Sequence, residues 1–265
     1  MKTIFITGAS TGLGKATAQL FQSRGWNVIA TMRNPEAASE LAALENVTLL
    51  PLDVTNLEQI KSTVNKALEL SHVDVVFNNA GYGLIGPLEA LKDEQILKQL
   101  DTNLLGVIRV TQAFIPYFRE KKSGMFITTT SIGGLIAFPL GSTYHATKWA
   151  LEGWSESLAY ELNKFGIDIK TVSPGGIKTD FVSRSLDSAT SPAYEEISNS
   201  LFSSMEGMME AASTPEQIAE VVYEAATDGK KQLRYVAGED AKALYAQRLE
   251  LGDENFREQF GKQFI

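Results

Sequence analysis

Lys2–Gly14 reads KTIFITGASTGLG. Ile4, Phe5 and Ile6 make a short apolar run, the pattern of a strand buried on both faces. Gly8, Gly12 and Gly14 follow at once. Glycines there let the backbone turn tightly and approach a ligand where a Cβ would collide. From Lys15 to Arg24 the pattern turns helical, with Ala16, Leu20 and Phe21 available for one face. Strand, glycine turn and helix N-terminus in that order predict a phosphate site, because unpaired N–H groups and the positive end of the helix dipole converge. An ordinary strand-to-helix turn also carries glycines. The strand-before, helix-after context is what favours a dinucleotide.

Outward from that turn, strands and helices alternate. Strands are predicted at Trp26–Thr31, Val47–Leu52, Val73–Phe77, Gly124–Thr130, Ile167–Val172 and Leu233–Val236. Helices are predicted at Leu57–Leu70, Asp93–Leu100, Asp101–Phe118, Thr143–Leu162 and Pro215–Thr227, the last with Thr214 and Gln217 at capping-box spacing. The alternation predicts an α/β fold: a doubly wound, mostly parallel, Rossmann-like sheet with helices on both faces, as a single domain over residues 1–265. Residues 181–212 are Ser-rich and too long for an ordinary connection, so they read as a substrate-covering segment or as a surface excursion. Phe256, Phe260, Phe264 and Ile265 offer apolar anchors in a polar, helical C-terminal stretch.

Composition narrows the function. A formal net charge of −8 with no basic stripe argues against a nucleic-acid partner. Zero cysteines and two histidines exclude thiol catalysis, disulfides and Cys- or His-rich metal centres. No apolar run is long enough for an integral membrane segment, and the N-terminus already reads as strand, leaving no room for a signal peptide; a soluble, cytoplasmic protein is expected.

The end of the second strand faces the adenosine ribose in a dinucleotide fold, and an acid there favours NAD. Here Met32 is followed by Arg33. Arg33 is either a partner for a 2′-phosphate or a solvated turn charge. Asp53 either caps the following region or accepts a hydrogen bond from adenine. Asn103 lies inside a helical stretch, where a polar amide is costly unless bonded. Tyr144 and Lys148 are four residues apart, hence on one helix face. Ser131 ends a strand at the carboxyl edge of the sheet, where such folds bind ligands. A cation beside Tyr144 favours tyrosinate. Bringing a phenol to working pH takes about three pH units, a shift expected from burial and positive charge together. Spacing alone leaves simple packing open.

Several motifs in order go further. TGASTGLG at Thr7–Gly14, Asp53, NNAG at Asn78–Gly81, Asn103, Ser131, YHATK at Tyr144–Lys148 and PGGIKT at Pro174–Thr179 resemble the short-chain dehydrogenase/reductase (SDR) family over about Lys2 to Thr227. ATMRN at Ala30–Asn34 is similar to the NADP-preferring branch that includes 17β-hydroxysteroid and retinol-type dehydrogenases. The resemblance implies a tetrad: Ser131 holds the substrate oxygen, Tyr144 exchanges the proton, Lys148 binds the nicotinamide ribose and lowers the tyrosine pKa, and Asn103 holds a water. It implies cofactor contacts at Gly8, Ser10, Thr11, Gly12, Leu13, Gly14, Arg33, Asp53, Val54, Asn79, Ala80, Gly81, Tyr144, Lys148, Pro174, Gly175, Ile177 and Thr179. Asp53 would touch adenine, Asn79 ribose, and Ile177 and Thr179 the carboxamide. NADP is the implied cofactor, with NAD as the alternative. Relatives that prefer NADP often carry a basic residue where this chain has Thr11. Hydride transfer to or from the carbonyl or alcohol carbon of a hydrophobic ketone, aldehyde or secondary alcohol is implied, in a homodimer or homotetramer. Leu84, Ile85, Phe138, Pro139, Leu140, Phe181, Leu186, Phe202, Met205, Met208 and Met209 are the expected pocket lining. The competing expectation is a dinucleotide-binding regulator without turnover.

Overall fold

The computed structural model describes residues 1–179, 186–210 and 212–264, apart from the side chains of residues 206, 208 and 210. Strand β1 (Thr3–Thr7) is buried along its whole length and occupies the middle of a seven-stranded sheet. With β2 (Asn27–Met32), β3 (Val47–Pro51), β4 (Val75–Asn78), β6 (Gly124–Thr129), β7 (Ile167–Pro174) and β9 (Arg234–Ala237), the order is β3-β2-β1-β4-β6-β7-β9, parallel at every pairing. The doubly wound expectation holds. The order reverses between β1 and β4, which pair Ile4 with Val75, Phe5 with Val76 and Ile6 with Phe77, while β2 pairs on the other side of β1. That crevice is where an open α/β sheet receives a ligand.

Apolar strands buried on both faces demand a helical layer on each side. On one face lie α1 (Gly12–Ser23) and, late in the chain, α8 (Pro215–Thr227), where Phe21 meets Trp26 and Tyr223 edge-on at 5.0 and 5.1 Å. On the other lie α3 (Leu57–Leu70), α5 (Gly106–Lys121) and α6 (Ser142–Leu162), where Phe114 meets Phe5 at 4.9 Å and Phe118 meets Phe126 at 5.1 Å. Each fully buried phenylalanine contributes about 1.5–3 kcal/mol. A third apolar cluster sits beyond the carboxyl edge of the sheet. It joins Ile85, Ile132, Ile136 and Leu201 to Phe256, Phe260 and Phe264.

Several boundaries differ from the sequence reading. β7 runs on to Pro174, and α5 begins only after a wide π-turn, Asp101–Leu105, that follows α4 (Asp93–Leu100). A second small sheet pairs β5 (Gly83–Ile85) with β8 (Leu186–Ser188). Three-residue strands carry too little periodicity to be read. The remaining α-helices are the short α2 (Ser39–Ala42), α7 (Glu195–Glu210), α9 (Glu239–Leu251) and α10 (Asp253–Gly261) among the described residues.

One buried ion pair staples the far side of the sheet. Lys170 on β7, with its side chain 1% exposed, donates to Asp228 Oδ1 at 2.9 Å, Ala225 O at 2.7 Å and Tyr235 OH at 3.0 Å. Tyr235 in turn donates to Asp228 Oδ2 at 2.8 Å. Burial works to raise the Asp228 pKa, but hydrogen bonds from Lys170, the Lys230 N–H and Tyr235 overcome it and hold it down to about 2. A depressed carboxylate stabilises the fold above its ordinary pKa, and the contribution disappears as pH falls through about 2. Asp228→Asn is therefore expected to cost about 3 kcal/mol at neutral pH, since it strands a buried ammonium. The deficit shrinks below about pH 4, where the unfolded carboxylate protonates. Urea melts of both proteins at pH 7 and pH 3 check this.

Candidate active site

The glycine turn has the geometry that the sequence implied. Gly8 takes φ +68°, and a Cβ there would stand 2.8 Å from Ala80 Cα. A Cβ on Gly14 would strike the Gly8 carbonyl oxygen, so no side chain fits between the turn and α1. The turn is tied to NNAG: Thr7 Oγ1 accepts from the N–H groups of Asn79 at 2.9 Å and Ala80 at 3.0 Å, and Asn79 Nδ2 donates to Thr7 O and Gly8 O, both at 3.2 Å. Thr11, the residue before α1, makes no side-chain cap, and the first turn of α1 holds no acid. The first N–H groups are thus left for an anion from outside, and these residues fit the diphosphate of a dinucleotide.

Arg33 stands exposed just past β2. Asp53 does not cap α3; Asn56 does, accepting from Gln59 N at 3.0 Å. Asp53 instead accepts from Thr55 N at 2.9 Å and Thr55 Oγ1 at 2.7 Å, while its own N–H meets Gln59 Oε1 at 2.6 Å. That network rigidifies the loop following β3. Val54 is buried against Gly106, where a Cβ would come within 2.9 Å of it. Ser10 is exposed, whereas Leu13 is buried and lines the cavity described next.

Ser131, Tyr144 and Lys148 come together beyond the ends of β4, β6 and β7, around a cavity of about 270 Å³. Ser131 Oγ accepts from Gly133 N at 3.0 Å, and Ser131 lines the cavity beside the Tyr144 phenol, whose pKa it works to lower. Lys148, 7% exposed, donates to Thr129 O at 2.9 Å, with Nζ 5.8 Å from the Tyr144 ring centre. Burial holds its ammonium down to about 8, opposed by the Glu152 carboxylate one turn on. Glu152 is itself held by Arg234 Nε at 2.8 Å and Ser173 Oγ at 2.9 Å.

One expectation is reversed. Burial does not help to make tyrosinate: it pushes the Tyr144 phenol up, against the influence of the Ser131 hydroxyl. The reason is desolvation, which always disfavours the charged form. In this chain Tyr144 is a protonated acid at neutral pH.

Asn103 lies within the π-turn, 1% exposed. Its Oδ1 accepts from Tyr82 N at 3.0 Å and its Nδ2 donates to Tyr82 O at 2.8 Å, so the amide brackets one backbone unit 21 residues away. The need for a bonded amide is met there, and Tyr82 is brought to the cavity.

Leu13 of the glycine turn, Asn79 and Gly81 of NNAG, and Pro174, Gly175, Ile177 and Thr179 of PGGIKT line the same cavity, so three motifs far apart in sequence converge. Of the expected apolar lining, Ile85, Phe138, Leu186, Met205 and Met209 are present. Leu84 is instead fully buried core, Phe202 is 43% exposed, and Pro139 lines a separate groove beside Trp149. Leu140 is no lining residue; at φ +61° it turns the chain, and its carbonyl accepts from Gly86 N at 2.7 Å. Phe181, the Met208 side chain and Ile265 lie outside the described residues. Missed walls are Tyr82, Ile132, Ile136, Leu201, Leu244, Phe260 and Phe264. The four-residue spacing of Phe256, Phe260 and Phe264 signalled a packed helix face, but not what it packs on.

Residues 2–189 match the family model described as short chain dehydrogenase. The chain is a short-chain dehydrogenase. The enzyme is similar to 17-beta-hydroxysteroid dehydrogenase type 1 of Homo sapiens, with 34% identity over 265 residues, 93% of this chain and 80% of that protein. It is also similar to the solved structure of a short-chain dehydrogenase from Streptomyces avermitilis, with TM-score 0.86, 32% identity, and coverage of 94% of this chain and 92% of that one. The structure of ElxO with NADP bound is similar at TM-score 0.76 and 27% identity, over 91% of this chain and 99% of that chain. This short-chain dehydrogenase is thus an NAD(P)-dependent oxidoreductase acting on a small organic molecule. Among its described residues no helix is long and apolar enough to cross a membrane.

Proposed function

We propose that the enzyme prefers NADP(H) and transfers a hydride to or from the carbonyl or alcohol carbon of a hydrophobic ketone, aldehyde or secondary alcohol, with Tyr144 as the acid–base. The observation that carries this reading is the Ser131–Tyr144–Lys148 cluster, which shares one largely apolar cavity with the glycine turn and Ile177–Thr179. The glycine turn, Arg33, Asp53, Val54, Asn79, Ala80, Gly81 and Pro174–Thr179 would hold the dinucleotide. When bound, it supplies the hydride chemistry. The chain's own residues then handle position and proton. Ser131 holds the substrate oxygen, Tyr144 protonates it in reduction, and Lys148 faces the charge that develops on the Tyr144 oxygen. Asn103 keeps Tyr82 against the substrate. A phenol that burial keeps protonated is in the state that reduction uses. A panel of carbonyls and alcohols, read by nicotinamide absorbance with both cofactors, tests the reading. No turnover of any apolar carbonyl or alcohol would leave a binding protein in its place.

Arg33→Ala is expected to weaken NADP binding about tenfold or more, the worth of one charge-assisted contact of about 1.5–3 kcal/mol, and to leave NAD binding nearly unchanged. The motivation is an exposed planar cation just past β2, where no acid stands. Titration of both cofactors against both proteins decides it; equal losses remove the 2′-phosphate role.

The expected cover over the substrate, residues 181–212, falls partly outside the described residues. Its described part includes α7, which turns Leu201, Ser204, Met205 and Met209 to the cavity. Hydrogen exchange in α7 is expected to slow when NADP(H) and substrate bind together, through exclusion of water from the pocket. Unchanged exchange at saturating ligands would make α7 a fixed wall.

A further inference from the structure

The chain between Ser131 and Gly141 joins β6 to α6 and forms one wall of the cavity through Ile132, Ile136 and Phe138. It is wrapped around a single side chain, the imidazole of His145, which is 5% exposed. Nδ1 lies 2.7 Å from Gly133 O, and Nε2 lies 3.2 Å from Phe138 N. A backbone carbonyl only accepts and a backbone N–H only donates, so the ring is neutral with its proton on Nδ1. Burial pushes the imidazole pKa down, which agrees. Phe138 meets the ring edge-on at 4.2 Å. A Cβ on Gly133 would stand 3.0 Å from Nδ1, and one on Gly141 would stand 3.0 Å from Nε2, so two glycines make room for the imidazole.

The same Gly133 whose carbonyl His145 holds donates its N–H to Ser131 Oγ at 3.0 Å. Occupying that lone pair leaves the Ser131 proton to point away, and Ser131 lines the cavity together with Tyr144. Gly133–Gly134 has little backbone preference of its own. Its orientation must be imposed from outside, and His145 supplies two fixed points. We infer that His145 is a positioning residue: it holds the Ser131–Phe138 loop so that the Gly133 N–H aims the Ser131 hydroxyl at the reacting oxygen. The inference rests on the reading of Ser131 as the group that holds the substrate oxygen.

A double-mutant cycle between His145 and Ser131 tests it, with turnover of an apolar carbonyl and NADPH binding measured on each protein. His145→Phe keeps a buried ring but neither hydrogen bond, and is expected to lower kcat about 10–100-fold, the scale of a misplaced reacting group. The KM for the carbonyl and the NADPH affinity stay within about threefold, because the wall remains apolar and the cofactor contacts are untouched. His145→Gln carries one donor and one acceptor and recovers most of the loss. In the Ser131→Ala background, His145→Phe adds less than about threefold, since its effect runs through a hydroxyl already gone. Wild-type kcat in the folded His145→Phe enzyme, or an undiminished further loss in the Ser131→Ala background, would overturn the inference while leaving the proposed chemistry standing. Wild-type turnover in Ser131→Ala alone would overturn the Ser131 reading and the inference with it. A check independent of any variant's folding comes from imidazole ¹⁵N shifts in wild type, simplified by a chain with two histidines. A neutral, Nδ1-protonated His145 is expected at pH 7; an Nε2-protonated ring or an imidazolium would overturn the assignment.

Discussion

Tyr144→Phe keeps the fold and NADP(H) binding and lowers turnover by about 10²–10⁴-fold or more, the usual worth of general acid–base catalysis. The ring is retained, so its edge contact with His145 at 5.8 Å and its place over the Lys148 ammonium persist. What disappears is one oxygen, the phenol that burial keeps protonated beside Ser131. Ser131 cannot replace it, because a serine hydroxyl is a far weaker acid than a phenol. Single-turnover rates with saturating NADPH, beside cofactor titration and melting curves, separate loss of chemistry from loss of structure. A folded mutant that turns over near the wild-type rate would remove Tyr144 as the acid–base, whatever the cofactor proves to be.

Lys148→Met is expected to cost about as much activity while leaving the protein no less stable. The ammonium lies 5.8 Å from the Tyr144 ring centre. At an effective dielectric of about 20, a unit charge at that range stabilises developing negative charge by about 3 kcal/mol, or roughly a hundredfold in rate. The cofactor contact proposed for Lys148 adds to the loss, so the KM for NADPH should rise too. Burial holds the ammonium down to about 8, below its ordinary 10.5. The unfolded chain therefore binds more protons between those values, stability climbs with pH across that window, and at neutral pH the buried charge weighs against the fold. Methionine removes that charge at similar volume but leaves Thr129 O without its donor, and the two effects offset. The melting temperature should stay level or rise as activity collapses. Reduction by the wild-type enzyme should weaken as pH rises through about 8, and that limb should be missing from Lys148→Met. A limb that survives in the mutant would assign it to another group.

The sequence reading succeeded where chemistry follows from spacing. A glycine turn between strand and helix has one geometry, so Gly8 and Gly14 could be assigned their steric roles before any coordinates, and Tyr144 and Lys148 at four residues apart had to share a face. It failed where the outcome depends on what surrounds a group. Burial was counted as an ally of tyrosinate, yet desolvation acts on Tyr144 with the opposite sign. Asn103 was legible as an amide that needed partners, but the partner backbone at Tyr82 lies 21 residues back and comes within reach only through a π-turn that leaves no periodic trace. The strand pair Gly83–Ile85 and Leu186–Ser188 joins residues 103 apart through three-residue segments, too short to show alternation. The phenylalanines at 256, 260 and 264 read as a packed face, and only the fold reveals that two of them look into the cavity.

Those aromatic walls carry a consequence for how such an enzyme diversifies. Leu201, Met205 and Met209 on α7, Leu244 on α9, Phe260 on α10 and Phe264 just past it all follow residue 189, where the match to the family model ends. Ser131, Tyr144, Lys148 and the glycine turn all precede it. Ser131, Tyr144 and Lys148 thus lie wholly in the first stretch, while the apolar wall is shared between the two, with Tyr82, Ile85, Ile132, Ile136, Phe138 and Leu186 before residue 189. A recombinant that keeps the first stretch and borrows its tail from a relative would inherit the proposed proton-transfer groups unaltered together with a partly new set of cavity walls. On that reading one scaffold can acquire fresh substrates through the stretch after residue 189, without revisiting Ser131, Tyr144 or Lys148.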